Sequence, residues 1–324
     1  MQDFASLTET SLDSLSWSEW TSTITDHLSQ DSQSGAHAEV LDARHMAIFI
    51  PKGTTLLVSF EAHHRIEDVS DKAHPLGWAM VEALGWSHLC LACERDTWFR
   101  DNCVFGYFDR LIDEGFFEEF DNVVFYGAGS CGYAAAAFSV AAPGARVFAI
   151  QPQATLDPRV AEWDDRFLAM RRTAFDTRFG YAPDMLDAAQ TAFVVYDPDI
   201  ELDAMHAALF TRPNVTKFRM RFLGPHMDAE LMQMNVLLRA LAQLNAGKLT
   251  RLSLARLYRA RREVAGYQFS LLKATLRDDR HLLTRLLASA VLARRDSPPF
   301  RKALARANTA LAEQDDDMPA TDSA

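Results

Sequence analysis

One stretch of this 324-residue chain limits its fold more than any other. Asn122-Val-Val-Phe-Tyr126 is an apolar run, Gly127-Ala-Gly129-Ser-Cys-Gly132 places three glycines in six residues, and Tyr133-Ala-Ala-Ala-Ala137 opens an alanine-rich segment. A buried strand, a sharp turn and a helix follow in that order, the grammar of a sheet flanked by helices. The surrounding sequence agrees. Between residues 45 and 225 short apolar runs alternate with helix-period segments. The runs are Met46–Ile50, Thr55–Phe60, Ser87–Ala92, Asn122–Tyr126, Arg146–Ile150, Ala192–Tyr196 and Thr216–Phe222. Most of their positions are apolar rather than alternating, as expected when helices cover both faces of a parallel sheet. Helical patterns are expected at Leu76–Leu84, Tyr107–Glu114, Gly132–Ala142, Ala161–Phe175, Met185–Ala189, Leu202–Phe210 and, behind an N-cap at Asp228, Asp228–Leu244. The expected class is therefore α/β, a mostly parallel sheet with helices on both faces, followed by a C-terminal helical extension.

Charge divides the chain. Residues 1–247 carry a net charge of −17, residues 248–310 carry +11 and residues 311–324 carry −5. Four regions are expected: an acidic lead (1–44), an α/β domain (45–232), a basic helical unit (233–310) and a disordered acidic tail (311–324) containing Asp315-Asp316-Asp317. In the basic unit Leu271, Leu272, Leu276, Leu282, Leu283, Leu286 and Leu287 recur near helical spacing. Its arginines read as a solvated face docked on an acidic partner domain, or as a site for anionic lipid, polyphosphate or RNA. The overall charge of −11 makes nucleic acid a poor default partner, because its affinity rests on phosphate neutralisation. No apolar stretch is long enough to suggest a membrane span. Arg44 is the first basic residue, so the N-terminus has neither the charged start of a secretory signal nor the arginines of a transit peptide, and the cytoplasm is the expected compartment. Four cysteines (Cys90, Cys93, Cys103, Cys131) are too few for a disulfide scaffold. Cys90 and Cys93 have C-x-x-C spacing but sit in an apolar run. On a strand, residues three apart face opposite ways, so they read as buried structural thiols and no metal or cofactor is expected.

Two mechanisms call for the glycine turn. In the first, Gly127-x-Gly129-x-x-Gly132 binds a dinucleotide, its helix N-terminus cradling a pyrophosphate. The acidic residue that should meet the ribose is missing, for the next strand ends in Gln151-Pro-Gln153. The second is a nucleophile elbow, in which a tight strand-to-helix turn lifts one side chain above the sheet between small neighbours. With Ser130 at the apex those neighbours are Ala128 and Gly132, and the amide of Cys131 becomes an oxyanion donor.

Tyr126-Gly-Ala-Gly-Ser-Cys-Gly-Tyr-Ala-Ala-Ala, then Pro143-Gly-Ala-Arg-Val-Phe-Ala-Ile and Pro152-Gln, resembles a divergent α/β-hydrolase branch that shows G-S-S-M-G-G-Y-A-A-L and a following strand ending in Pro-Gln. The segment is similar also to bacterial proteins often labelled phosphoadenosine phosphosulfate reductase. The chain lacks that reductase's S-G-G-x-D-S-type loop and its E-C-G-[IL]-H end. The hydrolase resemblance covers about residues 50–235 and implies an α/β-hydrolase-like fold. If Tyr133-Ala-Ala is aligned with the branch's Y-A-A, the nucleophile position falls on Gly129 rather than Ser130, which leaves an elbow without a nucleophile.

The fold places the acid and the base after the nucleophile, at later strand ends. Asp197 closes the Ala192–Tyr196 run, with Asp199 as the alternative acid, and His226 follows the next run in Leu223-Gly-Pro-His226. In a serine hydrolase of esterase or acyl-transfer type, His226 would take the Ser130 proton and Asp197 would hold the imidazole. Ala62, in Phe60-Glu-Ala-His-His-Arg65, would supply the second oxyanion amide, with His63 and His64 nearby. Asp96 and Arg100 are expected to pair beside Trp98. Trp163, Asp164, Asp165, Arg171 and Arg172 occupy the cap region, and His206 reads as packing. The partner of such a site would be a small-molecule ester or acyl substrate. The alternatives are a non-catalytic binding or scaffold protein with Gly129 at the apex, and a nucleotide-binding Rossmann-type protein. The sequence sets no oligomeric state.

Overall fold

The computed structural model describes residues 11–29, 35–70 and 72–316. They fall into two compact units, divided between Leu257 and Tyr258. The first is built on one eight-stranded sheet: β1 (His37–Val40), β2 (His45–Ile50), β3 (Thr55–Ala62), β4 (Ser87–Cys93), β5 (Asn122–Ala128), β6 (Arg146–Ile150), β7 (Thr191–Tyr196) and β8 (Val215–Arg219), in the order β1-β2-β4-β3-β5-β6-β7-β8. β1–β2 and β2–β4 pair antiparallel, and every later pairing is parallel. β5 therefore lies inside the sheet with β3 and β6 as neighbours.

Strand periodicity sorts the core into two layers. Ala47, Leu56, Val58, Phe60, Leu89, Leu91 and Cys93 pack on one face. Met46, Ile48, Ile50, Cys90 and Ala92 pack on the other. Cys90 and Cys93 thus face opposite sides of β4, as their spacing on a strand requires. Helices cover both layers: α1 (Trp17–Ser29), α2 (His63–Val69), α3 (Gly77–Leu84), α4 (Asn102–Asp113), α5 (Ser130–Phe138), α6 (Glu201–Leu209), α7 (Met227–Gln233), α8 (Leu237–Asn245) and α9 (Arg251–Leu257). All nine residues of α5 are buried. Its alanine run, Ala134 to Ala137, allows close packing against β5 and β6.

Several expectations change here. The acidic lead is part of the first unit: Trp20, Ile24 and Leu28 of α1, spaced four apart, enter the core with Leu12, and β1 joins the sheet. Residues 1–10 lie outside the described residues. The helix expected over Asp228–Leu244 is two, α7 and α8. The break falls at Asn235, with φ of 54°, a left-handed conformation that asparagine tolerates. Because α8 packs on β5 and β6, the first unit extends to Leu257 rather than ending near 232. The Ala161–Phe175 pattern yields short turns at Pro158–Ala161 and Leu168–Arg172 instead of one helix.

The second unit contains α10 (Ala265–Arg277), α11 (His281–Leu292) and α12 (Pro298–Asp316). Leu272, Ala288, Val291, Phe300 and Ala303 form its core, with Leu276 and Leu287 against it, while Leu282, Leu283 and Leu286 are exposed. α12 runs to Asp316, so Asp315 and Asp316 are helical and not a disordered tail; residues 317–324 lie outside the described residues. No helix among the described residues is long and apolar enough to cross a membrane.

Candidate active-site elbow

The turn between β5 and α5 is sharp, and it pivots on Gly129. That residue has φ 60° and ψ −123°, a strained conformation that glycine adopts at least cost. Its N–H donates to Ile150 O at 2.8 Å, and its carbonyl accepts from Tyr133 N–H at 3.0 Å. The flanking glycines are needed for clearance: a Cβ on Gly127 would stand 2.1 Å from the Cys131 carbonyl oxygen, and one on Gly132 would stand 2.8 Å from that of Ile150. Above the apex lies a cation. A Cβ on Gly129 would be 3.1 Å from Arg65 Nη1, so a side chain at this position would press against the guanidinium.

Ser130 is the first residue of α5, not the apex. It is buried, and its hydroxyl donates to Asp96 Oδ1 at 2.5 Å. Asp96 Oδ2 in turn lies 3.8 Å from His64 Nε2. The Cys131 thiol is pushed well above its usual range by the Cys93 thiol beside it and by burial.

The expected acid and base have other partners. Asp197 is buried at the end of β7, as its position suggested. Its Oδ1 accepts from Asp199 N–H at 3.0 Å and its Oδ2 from Gly224 N–H at 2.9 Å, so the carboxylate ties the β7–α6 turn to the loop after β8. The alternative acid, Asp199, is held by Arg221 at 2.6 Å. His226 stands at the N-cap of α7 with 64% of its side chain exposed, its Nδ1 3.5 Å from Asp68 Oδ2. Among the described residues no hydrogen bond links Ser130, Asp197 and His226. The structure does not bring these three side chains into a relay.

Ala62 ends β3 and caps α2, lining a cavity of about 30 Å³ with Glu61, Arg65, Tyr126, Cys131 and Asp228. His63 points away from the elbow, its ring 5.4 Å from that of Trp20. Asp96 and Arg100 do not pair. Arg100 is buried among acceptors, donating to the carbonyls of Ala174 and Arg178 and to Thr177 Oγ1, whereas Asp96 takes Ser130. Trp98 does border the site, its indole N–H donating to Gln153 Oε1 at 3.0 Å.

Over the apex is a cleft of about 180 Å³ lined by Arg65, Asp96, Trp98, Gly129, Ser130, Gln151, Gln153, Arg166, Phe167, Ile200, Asp203 and Pro225. Its polar groups are anchored from behind. Arg65 Nη2 pairs with Asp228 at 2.9 Å. Arg166 bridges Asp164 at 2.8 Å and Asp203 at 2.6 Å, and Asp203 also accepts from Gln151 Nε2 at 2.8 Å. His206 Nδ1 accepts from Ala154 N–H at 3.2 Å, so its Nε2 carries the proton donated to Asp164 at 2.9 Å. Burial opposes the Asp164 charge, but the hydrogen bonds from His206 and Arg166 outweigh it and hold its pKa well below the usual carboxylate range. His206 therefore positions Asp164, and through it Arg166.

Sequence reasoning named Asp164 but passed over Arg65, Gln151, Arg166 and Asp203 as pocket groups. The signals were faint: Arg65 follows the two histidines at the start of α2, and Gln151 belongs to the Gln151-Pro-Gln153 segment already quoted. It also missed Glu61 beneath the elbow. This carboxyl is fully enclosed; burial raises its pKa to about 7, against hydrogen bonds from Ser59 and the Leu76 amide.

No protein-family model matches the chain, and no curated protein matches it. Among solved structures it is similar to a chain of the glycosylation-associated Gap123 complex from Streptococcus agalactiae, at 14% identity and a TM-score of 0.43 over 66% of this chain. The chain spans 47% of that protein's length. It is similar also to Est1E from Butyrivibrio proteoclasticus (13% identity, TM-score 0.40, 65% of this chain and 99% of that one). A third likeness is to EstE1, a carboxylesterase from a metagenomic library (12% identity, TM-score 0.38, 76% and 98%). The first unit is an eight-stranded, mostly parallel sheet between helices, with a sharp glycine turn between β5 and α5.

Proposed function

We propose that this chain is a non-catalytic, hydrolase-derived binding protein whose cleft over an empty elbow holds a small anionic ligand. The observation that carries the reading is the apex: a glycine in a strained conformation, with the Arg65 guanidinium against the position a side chain there would take. A cation beside the N-terminus of a helix favours an anion. Arg166 lines the same cleft and adds a guanidinium suited to a carboxylate, sulfate or phosphate group, while the Gln151 amide is committed to Asp203 and the Gly224 carbonyl.

A serine hydrolase acting on an ester or acyl substrate is the second reading, and one observation favours it. Ser130 lines the cleft with its hydroxyl held by a carboxylate at 2.5 Å, so Asp96 would take its proton in place of His226 and Asp197. A fluorophosphonate probe separates the two. The binding reading expects no labelling of the folded wild type, whereas labelling that disappears in Ser130→Ala overturns it. In a thermal-shift series with phosphate, sulfate and acetate, at least one anion should stabilise the wild type and lose that effect in Arg65→Met. The Rossmann-type reading predicts instead a shift with NAD(P) or a nucleotide that is lost in Gly129→Val.

A further inference from the structure

The turn between β1 and β2 and the first residues of α4 bring together three side chains of different donor chemistry, none of which lines the elbow cleft. Asp42 lies in the turn, His45 opens β2, and Cys103 is the second residue of α4. His45 Nδ1 is 2.9 Å from Asp42 Oδ1, Cys103 Sγ is 3.1 Å from Asp42 Oδ2, and Cys103 Sγ is 3.8 Å from His45 Nδ1. We propose that Asp42, His45 and Cys103 bind a divalent transition-metal ion of the zinc class through one carboxylate oxygen, one imidazole nitrogen and one thiolate, with a fourth position open to water.

The dimensions suit such an ion. With bonds near 2.0 Å to nitrogen and oxygen and near 2.3 Å to sulfur, a tetrahedral centre sets its donors roughly 3.3–3.6 Å apart. The three observed separations bracket that range, so small side-chain adjustments close the site. The surrounding groups already hold the donors in a ligating arrangement. Metal-bound histidines give their other ring N–H to an oxygen that fixes the ring. The far nitrogen of His45, Nε2, is 2.9 Å from Thr97 Oγ1 and 3.5 Å from Asp101 Oδ2. The Arg44 amide donates to Asp42 Oδ1 at 2.7 Å and fixes that carboxylate, while the Arg44 guanidinium pairs with Asp101 at 2.7 Å. The imidazole is buried, but Asp42 keeps 34% of its side chain exposed and Cys103 is half-buried, so an ion has a way in. Binding would replace the thiol proton, which leaves to solvent, and would clamp the β1–β2 turn to the start of α4.

The competing arrangement is a plain hydrogen-bonded cluster, in which the thiol and the imidazole both donate to Asp42. Titration of the full-length protein with Co²⁺ distinguishes them. One equivalent should give the visible bands of a four-coordinate centre with a near-ultraviolet thiolate-to-cobalt charge-transfer band, displaced by Zn²⁺. Cys103→Ser should remove the charge-transfer band and weaken binding at least about tenfold, with circular dichroism verifying that the variant is folded. Asp42→Asn should weaken binding while the band persists. As a check independent of the variants, Zn²⁺ should slow alkylation of Cys103 in the wild type. Absence of the band in wild-type protein overturns the proposal. So does a band that survives Cys103→Ser and is lost in Cys90→Ala, because that result moves the ion to the buried Glu61, His88 and Cys90 set.

Discussion

The turn after β5 and the loops after β7 and β8 were expected to supply parts of one relay, and they differ in what holds them. At the elbow, backbone packs on backbone: Gly127 faces the Cys131 carbonyl, Gly132 faces the Ile150 carbonyl, and Gly129 hydrogen-bonds to Ile150. In the later loops side chains do the holding, with Asp197 spanning two amides and His226 left on the surface beside Asp68. A turn fixed by main-chain packing does not depend on partners for its side chains. A relay in the loops exists only while each side chain keeps its partner.

The sharpest way to break this contrast is at Gly127. Gly127→Ala should destabilise the protein by at least about 4 kcal/mol or prevent folding, because the new Cβ meets a backbone oxygen that cannot move alone. A denaturant midpoint close to wild type would show the turn to be far more pliable than its packing implies.

A second expected effect lies beneath the same turn. The folded-state pKa of Glu61, about 7, stands above the ordinary value of 4.5. Its neutral form thus favours the fold at low pH, and that contribution is lost as pH rises through about 7. Glu61→Gln cannot ionise, so its stability relative to wild type should rise across the window from about pH 4.5 to 7, by on the order of 3 kcal/mol. Paired urea titrations at several pH values measure the difference, and two parallel curves would remove Glu61 as a titrating group.

The loops should answer more weakly and unequally. Asp197→Ala leaves the Gly224 and Asp199 amides without their acceptor and should cost about 1–3 kcal/mol. His226→Ala, at an exposed position, should change stability by less than about 0.5 kcal/mol. Equal effects at the two positions would mean that the loops are coupled after all.

The layered α/β architecture was readable from the chain because the central strands are buried on both faces and their apolar runs are nearly unbroken. β1 escaped notice since His37-Ala-Glu-Val40 is a short, largely solvent-facing edge strand with no such run. The break at Asn235 was hidden because the apolar spacing continues through it from α7 into α8. The elbow was visible as three glycines, and the alignment of Tyr133-Ala-Ala already offered Gly129 as its apex. The wiring of the cleft was not visible: Arg65 meets Asp228 across 163 residues, and Arg166 meets Asp203 across 37.

The sequence alone determined where strand, turn and helix must follow one another, since local backbone demands and apolar periodicity act over a few residues. Tertiary structure alone decided that Gly129 rather than Ser130 crowns the turn, that Arg65 stands above it, and that Asp197 and His226 serve different neighbours. Those outcomes depend on which distant groups satisfy each buried charge and hydrogen bond, and spacing along a chain does not encode such pairings.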